Sequence, residues 1–292
     1  MRFVEDFYDY ELIDAVDGQR LERWKDIILI RPDPQIIWGG DKKDKRWNEA
    51  HAIYHRSNSG GGYWEKLRKV PDVWSVDYND LTFRLKPMGF KHTGLFPEQA
   101  VNWRLADKLI RQAGRPIKVL NMFAYTGGAT IACLNAGASV THVDASKGMV
   151  QWAKENAVAS GLADKPVRWL VDDCMKFVKR EIRRGNKYDA VIMDPPSYGR
   201  GPDGEVWKLE HQIGELLCET AKLLSDDALF VFLNSYTGGL SPTILDYMVR
   251  YTFPHSDKSR VFTEEIGLKV TNKNIVLPCG NTTVWIGSDT NG

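Results

Sequence analysis

Four carboxylates and a pair of glycines carry the chemistry this sequence can do. The stretch KVLNMFAYTGGAT (118–130) reads as an apolar run into a glycine turn, then a helix. Gly127 and Gly128 are expected to let the backbone pass close to a ligand, because no side chain stands in the way. Asp144 ends the next apolar run, 17 residues beyond Gly127. In a doubly wound sheet an acid at this point hydrogen-bonds the ribose hydroxyls of an adenosine-containing cofactor. Asp172 and Asp173 follow a third run, ahead of Cys174. A carboxylate here can accept from the adenine amino group while the next backbone N–H faces a ring nitrogen. Asp173 is the preferred residue and Asp172 the alternative. Asp194 ends a fourth run, in MDPPSYGRG. It falls where a strand meets the ligand crevice of such sheets, and Pro195 and Pro196 stiffen the turn that holds it.

The motifs that are missing narrow the cofactor. The glycines do not spell G-x-G-x-x-G, which speaks against a dinucleotide with its pyrophosphate on a helix N-terminus. No G-x-x-x-x-G-K-[ST] is present, so a P-loop kinase or ATPase is not expected. An adenosine cofactor without phosphate fits better, and S-adenosylmethionine (SAM) is the obvious one. No metal is expected. The six histidines include one close pair, His51 and His55, with no acid in an H-E-x-x-H pattern.

The elements that must position these residues follow from the hydrophobic pattern. Residues 90–292 alternate strands and helices, which predicts a mostly parallel sheet with helices on both faces. The strands are read at Lys118–Phe123, Ser139–Asp144, Val167–Val171, Tyr188–Asp194 and Ala228–Ser235. The helices are read at Asn102–Ala113, Thr130–Ala136, Ser146–Ser160, Met175–Arg184 and about Trp207–Leu224. Short strands at Arg260–Thr263, Ile275–Leu277 and Thr282–Ile286 would close the sheet with an antiparallel pair. Residues 1–89 read as a small, mostly β domain. Its runs are Ile27–Ile30, Ile36–Trp38, Val73–Val76 and Leu81–Leu85, with turn signals at Pro32–Pro34, Gly39–Gly40 and Ser59–Gly62.

Composition sets the outer bounds. With 43% hydrophobic and 26% charged residues the chain is ordinary globular protein, not disordered, collagenous or coiled coil. The 39 Lys and Arg against 38 Asp and Glu argue against coating nucleic acid by bulk charge. No apolar run reaches the roughly 18 residues of a membrane helix, and the acidic N-terminus lacks a signal-peptide layout. The four cysteines, Cys133, Cys174, Cys218 and Cys279, form no C-x-x-C pair, so a cytoplasmic protein with reduced thiols is expected.

Charge is nevertheless uneven. Residues 1–39 hold 5 basic and 9 acidic side chains, and residues 40–70 hold 8 basic and 4 acidic. In the second segment Lys42, Lys43, Lys45, Arg46 and Arg56 could touch phosphates while Trp47 stacks on a base, although a solvated loop is the plainer reading. A second basic run, Lys176, Lys179, Arg180, Arg183, Arg184 and Lys187, has the spacing of a solvated helix face.

Residues 90–240 resemble class I SAM-dependent methyltransferases with a Rossmann-like sheet, and more narrowly the bacterial family that includes large-subunit ribosomal RNA base methyltransferases. The resemblance rests on HTGLFPEQAVNW (92–103), VLNMFAYTGGAT (119–130), HVDAS (142–146), WAKENA (152–157), DD (172–173) and DPPSYG (194–199). It implies that Asn121, Phe123 and Tyr125, with Thr126 and Gly127, line the SAM pocket. It implies that Asp144, with Ala145 and Ser146, holds the ribose, that Asn156 belongs to the same site, and that Asp172, Asp173 and Cys174 flank the adenine. Asp194, Pro195 and Pro196 would lie near the methionine end. Thr93, Gly94 and Gln99 resemble the family's pre-strand motif, which folds over SAM.

For the acceptor, the resemblance implies a nucleic-acid base, and chemistry narrows the ways it can be methylated. SAM carries a reactive sulfonium, so the protein's main task is to hold a nucleophile in line with the methyl–sulfur bond. Family members that methylate cytosine at carbon 5 have a cysteine after the fifth strand, because that carbon becomes nucleophilic only by covalent addition at carbon 6. Here that place reads Asn234, Ser235, Tyr236, so this chemistry is not expected. A ring nitrogen with a free lone pair needs no base; where the acceptor atom carries a proton, Asp194 is read as the residue that takes it, with Tyr198 positioning the substrate. Gly199–Glu210 is read as a lid or an ordinary surface loop. A base in ribosomal RNA is the leading acceptor; a small molecule or a protein side chain is the alternative.

Overall fold

The structure is a computed structural model and describes residues 1–57, 61–200, 206–254 and 259–287, with the side chain of Arg200 left out. The chain divides into two compact units. One holds residues 2–100 and 267–279; the other holds Met1, 101–266 and 280–292. Residues 90–100 and 267–279 therefore go with the β-rich N-terminal part.

In that unit the strands are β1 (Arg2–Phe3), β2 (Tyr10–Val16), β3 (Gln19–Trp24), β4 (Ile27–Pro32), β5 (Ala52–Arg56), β6 (Gly62–Lys66), β7 (Trp74–Tyr78) and β8 (Leu81–Leu85). β2 to β6 pair in that order, antiparallel except for β4 on β5, and β7 and β8 form a separate hairpin. Asp17 (φ 51°) and Gly18 (φ 71°) close the β2–β3 turn in the left-handed region that the twist of a tight hairpin demands. Ile36–Trp38 is not a strand. The Gly18 and Asp17 N–H groups donate to the carbonyls of Ile36 and Trp38, so this segment packs as a loop over the hairpin. Trp47 is buried with Ile13, Val16, Leu21 and Ile30, and its indole donates to Asp14 at 2.9 Å, so it is no stacking platform. The expected turn at Ser59–Gly62 falls partly outside the described residues.

The second unit follows the predicted alternation: α1 (Ala100–Gln112), β9 (Lys118–Met122), α2 (Gly128–Asn135), β10 (Ser139–Asp144), α3 (Lys147–Ala159), β11 (Val167–Val171), α4 (Cys174–Arg183), β12 (Ala190–Met193), the hairpin β13 (Tyr198–Arg200) and β14 (Val206–Lys208), α5 (Leu209–Ala221), β15 (Phe230–Ser235) and α6 (Pro242–Thr252). Two long strands end the chain, β16 (Arg260–Val270) and β17 (Ile275–Ile286). Where the sequence suggested Ile275–Leu277 and Thr282–Ile286 as separate pieces, one strand runs through. The sheet order is β11–β10–β9–β12–β15–β17–β16, parallel from β11 to β15, with β17 antiparallel to β15 and flanked on its other side by β16. The central strands are buried on both faces, which is why they read as unbroken apolar runs. Helices bury one stripe each: α4 turns in Cys174, Phe177, Val178 and Glu181, spaced at three and four residues. Ser146, Asp173 and Ser241 accept N–H bonds from the first turns of α3, α4 and α6 and fix where those helices begin.

β9 feeds β10 on one side while β12 lies on its other side, so the order of connection reverses between β9 and β12. The crevice above the C-terminal strand ends at such a reversal is where open α/β sheets bind ligands.

Candidate functional site

Four loops leave the sheet at that crevice, and their strands end level. Val143 is paired with Met122, Asp144 with Val171, and Met193 with Met122. Backbone bonds lace the loops together: Ala124 N–H to Val143 O, Asp172 N–H to Asp144 O, and Asp194 N–H to Met122 O. The predicted acids thus emerge along one edge.

The loop after β9 is strained. Phe123 (φ 54°) and Tyr125 (φ 50°), neither of them glycine, take the left-handed conformation, and Gly127 (φ 83°) follows. Each non-glycine residue held there costs of order 1–3 kcal/mol and persists where its surroundings over-determine it. The surroundings do so. Phe123 N–H donates to Cys174 Sγ at 3.4 Å, Tyr125 N–H to Asp144 Oδ2 at 2.8 Å, and Asn156 Nδ2 to Thr126 O at 2.8 Å. Gly127 and Gly128 serve this packing. A Cβ on Gly127 would stand 2.9 Å from Ala153 Cβ in α3, and one on Gly128 would stand 2.6 Å from the Trp103 ring in α1. The absent side chains make room for two helices, where the sequence suggested room for a ligand.

Asp144 accepts from Tyr125 N–H through one oxygen and from Ser146 N–H through the other, both at 2.8 Å. Each oxygen keeps a second lone pair for a hydroxyl. Burial pushes the Asp144 carboxyl above its ordinary value, and the two N–H groups work against that. Asp173 is exposed, and its Oδ1 caps α4 by accepting the Lys176 N–H at 2.7 Å. Asp172 is ion-paired with Arg180. Cys174 is buried beneath the strained loop. Asn121 is buried, and its Nδ2 donates to Thr130 Oγ1, which also meets His142 Nδ1; burial holds that imidazole neutral, down to about 3.

Asp194 opens the fourth loop. Pro195 is buried, Pro196 and Ser197 are exposed, and Tyr198 is 51% exposed. Trp207 was read as the start of a helix. It lies instead in β14, opposite Gly199, and Lys208 N–H donates to Gln212 Oε1 where α5 begins. Residues 201–205, central to the expected lid, lie outside the described residues.

Thr93, Gly94 and Gln99 belong to the other unit, ahead of α1. Thr93 is fully buried, and its Oγ1 has no hydrogen-bond partner among the described residues. Among those residues no group of three or more His, Cys, Asp and Glu side chains is arranged to hold a metal, and no helix is long and apolar enough to cross a membrane.

The donor set suits SAM: carboxylates for hydroxyls and an amino group. A family profile described as S-adenosylmethionine-dependent methyltransferase matches residues 51–230. A SAM-dependent methyltransferase of known structure from Agrobacterium tumefaciens is 35% identical, superposes with a TM-score of 0.91, and shares 97% of this chain and 92% of its own. The chain belongs to the SAM-dependent methyltransferase family. Curated relatives include the ribosomal RNA large subunit methyltransferases K/L of Shewanella baltica, 34% identical over 246 residues, and of Shewanella frigidimarina, 32% over 180. These cover 80% and 60% of this chain but 32% and 24% of the relatives, so the chain spans at most about a third of their length. The fold is the Rossmann-like methyltransferase sheet, and SAM is the cofactor.

Two features of the methyltransferase site were not read from the sequence. The left-handed strain at Phe123 and Tyr125 has no signal in residue type. Trp207 is 84 positions from Phe123, yet their ring centroids are 5.5 Å apart.

Proposed function

We propose that the chain methylates a base of large-subunit ribosomal RNA. The observation that carries this reading is the pairing of a SAM crevice with relatives whose names state that substrate. SAM supplies an electrophilic methyl group when bound. Asp144 takes the ribose hydroxyls, Asp173 the adenine amino group, and the Cys174 N–H faces a ring nitrogen. The loop 123–127 turns its backbone to the methionine end. Asp194 accepts a proton if the acceptor atom carries one, and Tyr198 offers its exposed ring to an extruded base.

The place of a carbon-5 nucleophile is taken by Asn234, whose Oδ1 accepts from Asn102 and Thr282 within the core. That supports a ring nitrogen or amino group as the target. RNA contact is assigned to exposed cations of 42–69 and 176–187. In the first segment the exposed ring is Tyr63, on the β5–β6 hairpin with Arg56 and Lys66. In the second, Lys179, Arg180 and Arg184 are already ion-paired with Glu215, Asp172 and Glu181, and the exposed Arg183 is the better candidate. The reading places this activity in the cytoplasm, where ribosomes are built.

The test uses tritiated SAM with two acceptor pools from a strain lacking the enzyme: its ribosomal RNA, and its protein and small-molecule extract. Label in RNA supports the proposal and maps the nucleotide. Label confined to the extract replaces it with a small-molecule or protein acceptor.

A further inference from the structure

We propose that Trp207 is a positioning residue that joins the cofactor loop to the acceptor loop. Its argument begins with the two prolines of the fourth loop. Pro195 and Pro196 have no N–H, so their turn can be anchored there only through carbonyls. The two carbonyls that follow are both taken from one side. Trp207 Nε1 donates to Pro196 O at 2.6 Å, and Leu209 N–H donates to Ser197 O at 3.1 Å. Together with the β13–β14 pairing of Tyr198 with Lys208 and Gly199 with Trp207, these bonds set the direction in which Tyr198 leaves the turn.

The other face of the same indole meets the cofactor side. Its ring lies 5.5 Å from that of Phe123, tilted by 47°. Phe123 is a residue held in the left-handed conformation, and both rings pack against the one buried core cluster that includes Leu209, Met193 and Met122. One side chain therefore touches the strained turn beside SAM and the turn that carries Asp194. A shift of about 1 Å in either turn is enough to cost on the order of a hundredfold in rate. A merely structural tryptophan would satisfy the packing alone. The short N–H bond to a proline carbonyl is the feature that packing does not require.

The two roles separate by substitution. Trp207→Phe keeps a ring against Phe123 and loses the N–H. Trp207→His keeps an N–H at the corresponding position of its five-membered ring and loses most of the contact with Phe123. The full chain is used, with S-adenosylhomocysteine affinity by calorimetry and kcat on ribosomal RNA from the strain lacking the enzyme. Trp207→Phe is expected to bind S-adenosylhomocysteine within about twofold of the parent and to lose about tenfold or more in kcat at saturating SAM. Trp207→His is expected to recover kcat relative to Trp207→Phe and to bind S-adenosylhomocysteine more weakly. Equal kcat in Trp207→Phe and the parent overturns the proposal, as does loss of both properties together in both variants.

The inference rests on the methyltransferase site but not on the identity of the acceptor. If the parent labels no RNA, tryptophan emission decides it. S-adenosylhomocysteine should change the emission of the parent more than that of Trp207→Phe, in which Trp103 still lies against Gly128 of the cofactor loop. The same change in both overturns the link to the cofactor loop.

Discussion

The backbone N–H of Tyr125 donates to Oδ2 of Asp144 at 2.8 Å, so the end of the first central strand is tied to the acid at the end of the second. The carboxylate proposed for the ribose also holds the strained loop in place. Asp144→Ala removes both functions and strands the N–H groups of Tyr125 and Ser146. SAM affinity should fall by about tenfold or more, a loss of at least ~1.4 kcal/mol. Calorimetry that finds unchanged affinity would remove Asp144 from the cofactor site.

The same residue gives the site a pH dependence. Burial raises the Asp144 carboxyl above its ordinary 3.8. Hydroxyls are best accepted by the ionised form, so SAM affinity should decline on acidification at a pH above 3.8, and Asp144→Asn should remove that slope. In the protein without SAM the sign is reversed. A raised carboxyl favours folding in acid, and that contribution is lost as pH rises through the folded value. Affinity and stability measured over the same pH range should therefore move in opposite directions through this group.

A buried ion pair in the other unit carries the opposite linkage. Glu22 is fully buried and accepts from Arg31 Nε at 2.6 Å, Arg31 Nη2 at 2.8 Å and Tyr10 OH at 2.7 Å. Burial alone would raise its pKa. The charges of Arg20 and Arg31 and these hydrogen bonds outweigh burial and hold it at about 2, below the ordinary 4.5. Its contribution to stability is present above 4.5 and is lost as pH falls through about 2. Glu22→Gln would leave the buried Arg31 guanidinium without its counter-charge and Arg20 with Asp33 alone, a cost of about 3–5 kcal/mol. A thermal melt should show a large drop at neutral pH that narrows in acid. An unchanged melting temperature would mean that the pair does not hold this sheet.

What the sequence made legible follows from how each feature is encoded. Of the parallel strands, β9, β10, β12 and β15 are mainly buried and show as apolar runs, and β10, β11 and β12 lead into Asp144, Asp172 and Asp194, so the candidate crevice could be read along the edge. The N-terminal sheet was harder. β2 and β3 contain Asp14, Arg20 and Glu22 among apolar residues, and these charges hid two strands. Asp17–Gly18 between them was the available hairpin signal. Their partners lie elsewhere in the chain: Glu22 meets Arg31 and Tyr10, Asp14 meets Trp47 and Lys273, and Arg20 lies 3.7 Å from both Glu22 and Asp33; one sequence does not display such pairing. Trp47 misled for the same reason: beside four cations it resembled a base-stacking residue, but its partner is the buried Asp14, 33 positions away. At Gly127 the residue type was informative and its cause was not. The glycine is needed by Ala153, which only the folded chain brings near.

Asn234 makes a further test of why no nucleophile follows the fifth strand. Asn102 Nδ2 donates to Asn234 Oδ1 at 3.1 Å and to Thr282 Oγ1 at 2.8 Å, and Thr282 Oγ1 donates to Asn234 Oδ1 at 2.8 Å. The three side chains form a closed, buried triangle that joins α1, β15 and β17. Asn234→Ala removes the shared acceptor and leaves two buried donors with fewer partners, which costs about 1–3 kcal/mol. The drop should appear in chemical denaturation. Because Asn234 is structural, Asn234→Cys should not confer carbon-5 methylation, and mass analysis of labelled nucleosides would reveal that product if it formed.

Cys174 is the thiol nearest the crevice, and its surroundings make it inert. Its Sγ accepts the Phe123 N–H at 3.4 Å and faces the Val143 carbonyl at 4.0 Å. Burial pushes the thiol well above its ordinary value, the nearby carboxylates of Asp144 and Asp173 push the same way, and the Phe123 N–H opposes them. A thiol so placed stays protonated at neutral pH and cannot attack a base. Cys133 is likewise buried and pushed up to about 12, while Cys218 is exposed. A disulfide reagent added to the native protein should therefore modify Cys218 and spare Cys133 and Cys174 until denaturant is added. Cys174→Ala deletes the sulfur that anchors the left-handed Phe123, so SAM affinity should weaken several-fold, by under about 1.4 kcal/mol. Methyl transfer at saturating SAM should persist. Abolished transfer in that variant, with SAM still bound, would mean that the reaction passes through a cysteine after all, and the assignment of an acceptor with its own lone pair would have to be given up.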